Sequence, residues 1–233
     1  LQRLALADDL PDVMLVNKQE MTQLRESADL VDFTPALDAD PEWRDAYYAE
    51  SLASLAADDG QYGLPEVRDV VGIYYNTAIF EAAGVDAFPA TWDEFEAACD
   101  AILATGPLCF AMDGNWVTLL MWANLIGTSP DDHGFLTGGI AGTDWATDPA
   151  VVAATERLRS WHQKGYVNQD SLSGDYATAA TVYTTGQAAM IANGPWMVPE
   201  FKADGVAPDL SASTSYAPSP GWVAGDGGII SIT

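Results

Sequence analysis

Short apolar runs alternate along this chain with stretches of helical period, and turn residues separate most of them. Val13-Met-Leu-Val16 is a continuous apolar run of the kind required by a parallel strand buried on both faces. Val70-Val-Gly-Ile-Tyr-Tyr75 is a second β-rich run, long enough to pass from one sheet into another. Pro107–Met112 and Gln187–Ala192 are a third and a fourth, and Gly225-Asp-Gly-Gly-Ile-Ile-Ser-Ile232 leads into a last strand. Leu30–Pro35 and Tyr216–Pro220 read as short extended pieces. Between these lie helical patterns at Leu1–Leu10, Met21–Ala28, Pro41–Leu55, Asn76–Ala83, Thr91–Leu103, Val117–Ile126, Asp148–Gln163, Tyr176–Thr185 and Phe201–Asp204. Strands alternating with helices predict an α/β fold with a mainly parallel sheet. A glycine-rich stretch, residues 128–142, carries no periodic signal.

The punctuation is specific. Thr91-Trp-Asp-Glu94 has the form of a capping box, with a threonine that accepts from the backbone three residues on and a glutamate that reaches back. Asp148-Pro149 starts the next long helix, and Gly84, Gly165 and Gly186 follow helices at the position where a left-handed residue closes them. Asp58-Asp59-Gly60 is a turn. Asn193-Gly194-Pro195 ends the fourth strand, so Trp196 stands at its mouth, with Pro195 suited to the first turn of a following helix. In open α/β sheets ligands bind beyond the carboxyl ends of strands. Trp196 is therefore either an aromatic at a ligand crevice or one that closes the core.

Composition narrows the partners. Among 233 residues, 34 acids against 9 Lys and Arg give a net charge of −25, which disfavours nucleic acid, anionic lipid and polyphosphate. Asp outnumbers Glu by 24 to 10, and the acids are scattered, as on a solvated surface. No membrane-spanning run and no signal-peptide pattern are expected. Cys99 and Cys109 are too few for a cysteine-based zinc site; they are either one disulfide, in an oxidising compartment, or two buried thiols.

Catalytic motifs are lacking: the chain has neither a G-x-S-x-G nor an H-E-x-x-H word, no phosphate-binding glycine loop, and only His133 and His162 as histidines, with His162 placed on a helix surface. Recognition fits better. Asp69 lies just ahead of the β-rich run at Val70, beside Arg68, and either forms a surface ion pair or offers a carboxylate to hydroxyl donors. Asp113-Gly-Asn115-Trp116 is a turn at the end of the third strand. Flat aromatic faces together with Asp and Asn suit stacking on, and hydrogen bonding to, a neutral polyhydroxylated ligand.

Several words, taken together and in order, resemble the family 1 extracellular solute-binding proteins of ABC importers, the maltose-binding type. They are Tyr62-Gly-Leu-Pro65, Ile73-Tyr-Tyr-Asn76, Phe80-Glu-Ala-Ala-Gly-Val85, Thr91-Trp-Asp-Glu-Phe95, Lys164-Gly-Tyr-Val167, Gly186-Gln-Ala-Ala-Met190 and Asn193-Gly-Pro-Trp196. Pro11-Asp-Val-Met-Leu-Val16 and Gly225-Asp-Gly-Gly-Ile-Ile-Ser231 extend the resemblance over nearly the whole chain.

The resemblance implies a two-lobed, type II periplasmic-binding-protein fold, here without the first strand and helix of the N-terminal lobe and most of the C-terminal part of both lobes. Residues 1–69 would belong to the N-terminal lobe, 70–223 to the C-terminal lobe, and 224–233 to a second crossover. The implied function is capture of a neutral sugar or oligosaccharide by lobe closure and its delivery to the transmembrane subunits of an ABC permease. The implied protein is a monomer without catalytic activity, metal or cofactor, and it is extracytoplasmic, either a cell-surface lipoprotein or periplasmic. By position, Asp69, Trp116 and Trp196 match ligand-binding residues, with Asp113 and Asn115 in the same turn as Trp116. Asn17 and Lys18 match polar strand-end residues, and Asp226, Gly227 and Gly228 sit at the second crossover. The alternatives are a polyamine-binding protein of the same fold, suggested by the acidity, and an extracellular carbohydrate-active enzyme.

Overall fold

The structure, a computed structural model, describes residues 2–7, 9–16, 18–25, 30–66, 69–129, 145–221 and 231–232. The chain forms two compact units, one of residues 1–69 with 231–233 and one of residues 70–230, so it passes between them twice.

The first unit contains helices α1 (Gln2–Leu6), α2 (Lys18–Arg25), α3 (Thr34–Ala39), α4 (Pro41–Asp45) and α5 (Ala49–Leu55). A short hairpin follows, β1 (Ala56–Ala57) and β2 (Gly60–Gln61), turning at Asp58-Asp59 as its composition requires. Asp32 ties helix to hairpin: its Oδ1 accepts from the backbone N–H of Thr34 at 2.9 Å and of Gln61 at 3.1 Å. The hydrogen bonds from Thr34 and Gln61 hold its carboxyl below the ordinary value. The segment expected to be one helix over Pro41–Leu55 is two, broken between Asp45 and Ala49. Pro35 lies in the first turn of α3 instead of ending an extended piece, because there its missing N–H costs nothing.

Val13–Val16 is not a strand. Val13 is 87% and Leu15 80% exposed, and both line an apolar groove of about 350 Å³ with Met21, Leu24, Val31 and Leu55. A strand buried on both faces needs neighbours at both edges, and among the described residues none pairs with this run.

The apolar run at Val70 does serve two sheets. Its first part, β3 (Asp69–Val70), pairs with β8 (Ser231–Ile232), and its second, β4 (Gly72–Asn76), enters a four-stranded sheet of order β5-β6-β4-β7. There β5 (Leu108–Ala111) lies parallel to β6 (Ala188–Asn193), with Leu108 opposite Ala188 and Ala111 opposite Ile191. β4 is antiparallel to β6, Gly72 facing Asn193, and β7 (Thr214–Ala217) is antiparallel to β4, Ile73 facing Ala217. The expected mainly parallel arrangement thus holds for one ladder of three. β4 arrives from the first unit rather than through a helical crossover from a neighbouring strand, so nothing forces it to run the same way as β6.

Among the described residues the second unit also has helices α6 (Thr77–Ala82), α7 (Trp92–Thr105), α8 (Trp116–Gly127), α9 (Pro149–Lys164) and α10 (Tyr176–Thr184), with two 3₁₀ helices, Pro195–Phe201 and Pro208–Ala212. All six residues of β6 are buried, and α7, α8 and α10 pack on the sheet around it. The local signals are realised. Asn76 caps α6, Thr91 and Glu94 form the reciprocal capping box of α7, and Asp148 caps α9, which Gly165 closes at φ 73°. The Thr128–Gly142 stretch lies outside the described residues from 130 onward.

Cys99 of α7 and Cys109 of β5 are joined in a disulfide with a Cα–Cα separation of 4.9 Å, both fully buried. The bridge closes a loop of 10 residues in sequence. Constraining a loop of that size in the unfolded chain is worth about 2–4 kcal/mol. The Cys99→Ala, Cys109→Ala double variant, or the wild type under reductant, is expected to unfold at correspondingly lower urea. An unchanged midpoint would show that the bridge adds no stability.

Candidate functional site

Parallel pairing of β5 and β6 puts both carboxyl ends on one edge of the sheet of the second unit, and the chain turns sharply at each. After β5, Asp113-Gly-Asn-Trp116 turns into α8. After β6, Asn193-Gly-Pro-Trp196 turns into a 3₁₀ helix. The two tryptophans, distant in sequence, therefore meet: their ring centroids are 5.3 Å apart with planes at 57°. Tyr176, the first residue of α10, also packs on Trp116, with centroids 5.5 Å apart. Tilted contacts of this kind avoid the face-to-face overlap that the charge distribution of aromatic rings disfavours. Trp116 is half-buried and Trp196 is 37% exposed, so the row opens to solvent at Trp196.

Buried polar groups fix the row from beneath. Asn193 is fully buried; its Nδ2 donates to the Tyr176 hydroxyl at 3.1 Å, and its Oδ1 accepts from the N–H of Gly194 at 3.0 Å. The Tyr74 hydroxyl donates to the carbonyl of Gly194 at 3.1 Å. Burial, and to a smaller extent the neighbouring Tyr176, pushes the Tyr74 phenol above its ordinary range, so it stays a donor.

Asp113, expected at the ligand, is turned inward and fully buried. Its Oδ1 accepts from the N–H groups of Asn115 (2.9 Å), Val117 (3.0 Å) and Thr118 (3.3 Å), while among the described residues its Oδ2 has no hydrogen-bond partner. It satisfies the otherwise orphaned first donors of α8 and so holds Trp116 at the head of the helix. Asn115 is exposed at the same turn and makes no side-chain cap. Asp69 and Lys18 are placed by backbone only, in β3 and at the start of α2; Asn17, Asp226, Gly227 and Gly228 lie outside the described residues.

Tyr176 and Asn193 are the members that sequence reasoning passed over. In the sequence each is punctuation, a helix start and a strand stop. Nothing in their neighbours signals that one side chain reaches the other. His162 is half-buried beside Ser171, at 3.3 Å, and burial lowers its pKa. Among the described residues no group of three His, Cys, Asp or Glu side chains is arranged to hold a metal ion. An aromatic row with one open ring, flanked by an exposed asparagine, has no nucleophile–base pair. What it offers is apolar stacking and neutral hydrogen bonding.

The chain resembles known proteins over most of its length. A family model described as bacterial extracellular solute-binding protein matches residues 1–233. The xylose/arabinose-binding protein XacG of Haloferax volcanii is 33% identical over 138 residues, which are 57% of this chain and 29% of that protein. The multiple sugar-binding protein of Streptococcus mutans is 24% identical over 217 residues, 84% of this chain and 47% of that one. A solved chitin oligosaccharide binding protein is 29% identical with a TM-score of 0.68, over 86% of this chain and 49% of its own. A solute-binding protein from Thermotoga lettingae, solved with α-D-tagatose, shares the fold at a TM-score of 0.75 and 21% identity, over 94% of this chain and 56% of that one. The chain thus spans less than half the length of these two curated relatives.

Proposed function

Because this chain belongs to the bacterial extracellular solute-binding protein family, we propose that it is part of the substrate-binding component of an ABC importer for a neutral sugar or short oligosaccharide. The observation that carries the reading is the meeting of Trp116 and Trp196 at the carboxyl edge of β5 and β6, with one indole open. A sugar presents an apolar C–H face and a rim of hydroxyls. The chemistry of an exposed indole suits the first, and that of an exposed asparagine such as Asn115 suits the second. The names of relatives that bind xylose or arabinose, multiple sugars and chitin oligosaccharides support the same ligand class. In this reading the protein is extracytoplasmic, consistent with the Cys99–Cys109 bridge. It captures sugar without changing it. Asp69 and the second crossover at Asp226–Gly228 are the other positions this reading assigns to the sugar, and transmembrane permease subunits receive the ligand.

A thermal-shift series against xylose, arabinose, xylo- and chito-oligosaccharides, polyols and polyamines tests this, since a ligand that binds the folded state raises its stability by mass action. At a hundred times its Kd a sugar adds about 2.7 kcal/mol. A response to polyamines alone would replace the sugar reading with the polyamine one. Release of reducing ends from an oligosaccharide would replace it with an enzyme.

A further inference from the structure

We propose that Gly194 is a positioning residue of the site: the absence of its side chain is what allows the Trp196 indole to lie where it meets Trp116. Its backbone does not require glycine. At φ −113° and ψ −172° it is extended, a conformation open to any residue. Space requires it. A Cβ on Gly194 would overlap Cζ3 and Cη2 of the Trp196 ring and stand 2.7 Å from its Cε3. The outer edge of the indole's six-membered ring, Cε3, Cζ3 and Cη2, thus occupies the space that a side chain on Gly194 would take.

Nor can the backbone give way. The Gly194 N–H is held by Asn193 Oδ1 at 3.0 Å, and its carbonyl accepts from the Tyr74 hydroxyl and from the N–H of Met197, both at 3.1 Å. Asn193 and Tyr74 are buried members of the central strands, so the peptide is pinned from both sides. A methyl group at position 194 therefore moves the ring and not the chain. The same Asn193 holds Tyr176 through Nδ2, and Tyr176 packs on Trp116. One asparagine thus anchors the supports of both indoles, and the angle between them is set by the Asn193-Gly194 pair.

The effect on ligand rests on the sugar-binding reading, whereas the effect on the ring does not, and the experiment separates the two. Indoles this close and tilted couple their excited states, so the Trp116–Trp196 pair is expected to add its own far-ultraviolet circular dichroism couplet to that of Trp92 and Trp161, 6.0 Å apart, and this pair's couplet, read as the difference from the ligand-free wild type, is what Trp196→Ala removes. Gly194→Ala is expected to remove it as well, with the helical signal and the urea midpoint largely kept. For whichever of xylose, arabinose or diacetylchitobiose binds the wild type most tightly, Gly194→Ala should raise Kd by roughly 5- to 150-fold, the range expected for losing one aromatic platform. In the Gly194→Ala, Trp196→Ala double variant the added methyl has no ring to meet, so Kd and midpoint should stay within about twofold and a few tenths of a molar urea of Trp196→Ala alone. This non-additivity distinguishes a positioning role from general damage, and the double variant remains informative even if Gly194→Ala folds poorly. A full couplet in folded Gly194→Ala, or an equal further loss when the methyl is added to Trp196→Ala, would overturn the proposal. If the couplet disappears as expected but none of the three sugars binds the wild type, the positioning role stands and the sugar reading fails.

Discussion

Trp196→Ala is expected to weaken sugar binding by roughly 5- to 150-fold, equivalent to about 1–3 kcal/mol, the range for removing an aromatic stacking partner. Folding stability should change less. A fully enclosed tryptophan costs about 3–5 kcal/mol on truncation because the protein cannot collapse into the space left. Trp196 is 37% exposed, and its neighbours include the Trp116 ring and Gly194. Truncation there opens a notch to solvent rather than a cavity. Isothermal titration with the sugar, and urea unfolding without it, measure the two effects on one variant. A folded Trp196→Ala protein that binds as the wild type does would remove Trp196 from the site. A stability loss of core size with unchanged affinity would make it a packing residue.

The second large effect is expected from salt. With 34 acids and 9 Lys and Arg, at most nine acids can have a basic partner of their own. Among the described ion pairs, Arg25, Arg44, Arg157 and Lys164 serve Asp59, Asp38, Asp45, Asp93 and Glu96. These pairs are largely at the surface, where each is worth at most about 1 kcal/mol. The uncompensated acids repel one another more in a compact chain than in an unfolded one, and shortening the screening length from about 10 Å at 0.1 M to about 3 Å at 1 M removes much of that difference. Stability is therefore expected to rise by several kcal/mol between 0.1 and 1 M KCl, on the order given by Coulomb interactions at high dielectric. Most of the gain should come below about 0.5 M, where the screening length changes fastest. Urea titrations at a series of KCl concentrations measure it, and a flat or falling midpoint would show that the acids are better compensated than their number implies. The same series separates ligand classes. Binding of a neutral sugar should change little with salt once the protein is folded, whereas a polyamine held by carboxylates should bind much more weakly at 1 M.

Much of the second unit was legible because its signals are local. The capping box of Thr91 and Glu94, the Asp148 cap, the Gly165 close and the turn at Asn193-Gly-Pro are each satisfied by hydrogen bonds spanning a few residues, so the residues that form them stand side by side in the chain. The apolar runs at Leu108 and Ala188 are strands as their patterns lead one to expect, buried on both faces in the middle of the second unit. The family, too, was readable from the order of such words. Val13–Val16 shows the limit of this reasoning. Its pattern is that of a buried strand, but a pattern only states what a segment can bury, and these side chains face solvent and an open groove.

The sequence by itself determined where the turns at Asp113–Trp116 and Asn193–Trp196 fall and that each carries an indole past the end of a strand. It allowed Cys99 and Cys109 to meet without requiring it. The tertiary structure alone decided that β5 and β6 are adjacent and parallel, which puts both indoles on one edge, and that β4 runs the other way. It also decided that Asp113 turns in to cap α8 while Trp196 stays open, and that Tyr176 and Asn193 join across α10 and β6. The reason is physical: turns and caps are fixed by neighbours along the chain, whereas strand partners and the direction a side chain faces follow from contacts between residues the chain separates widely.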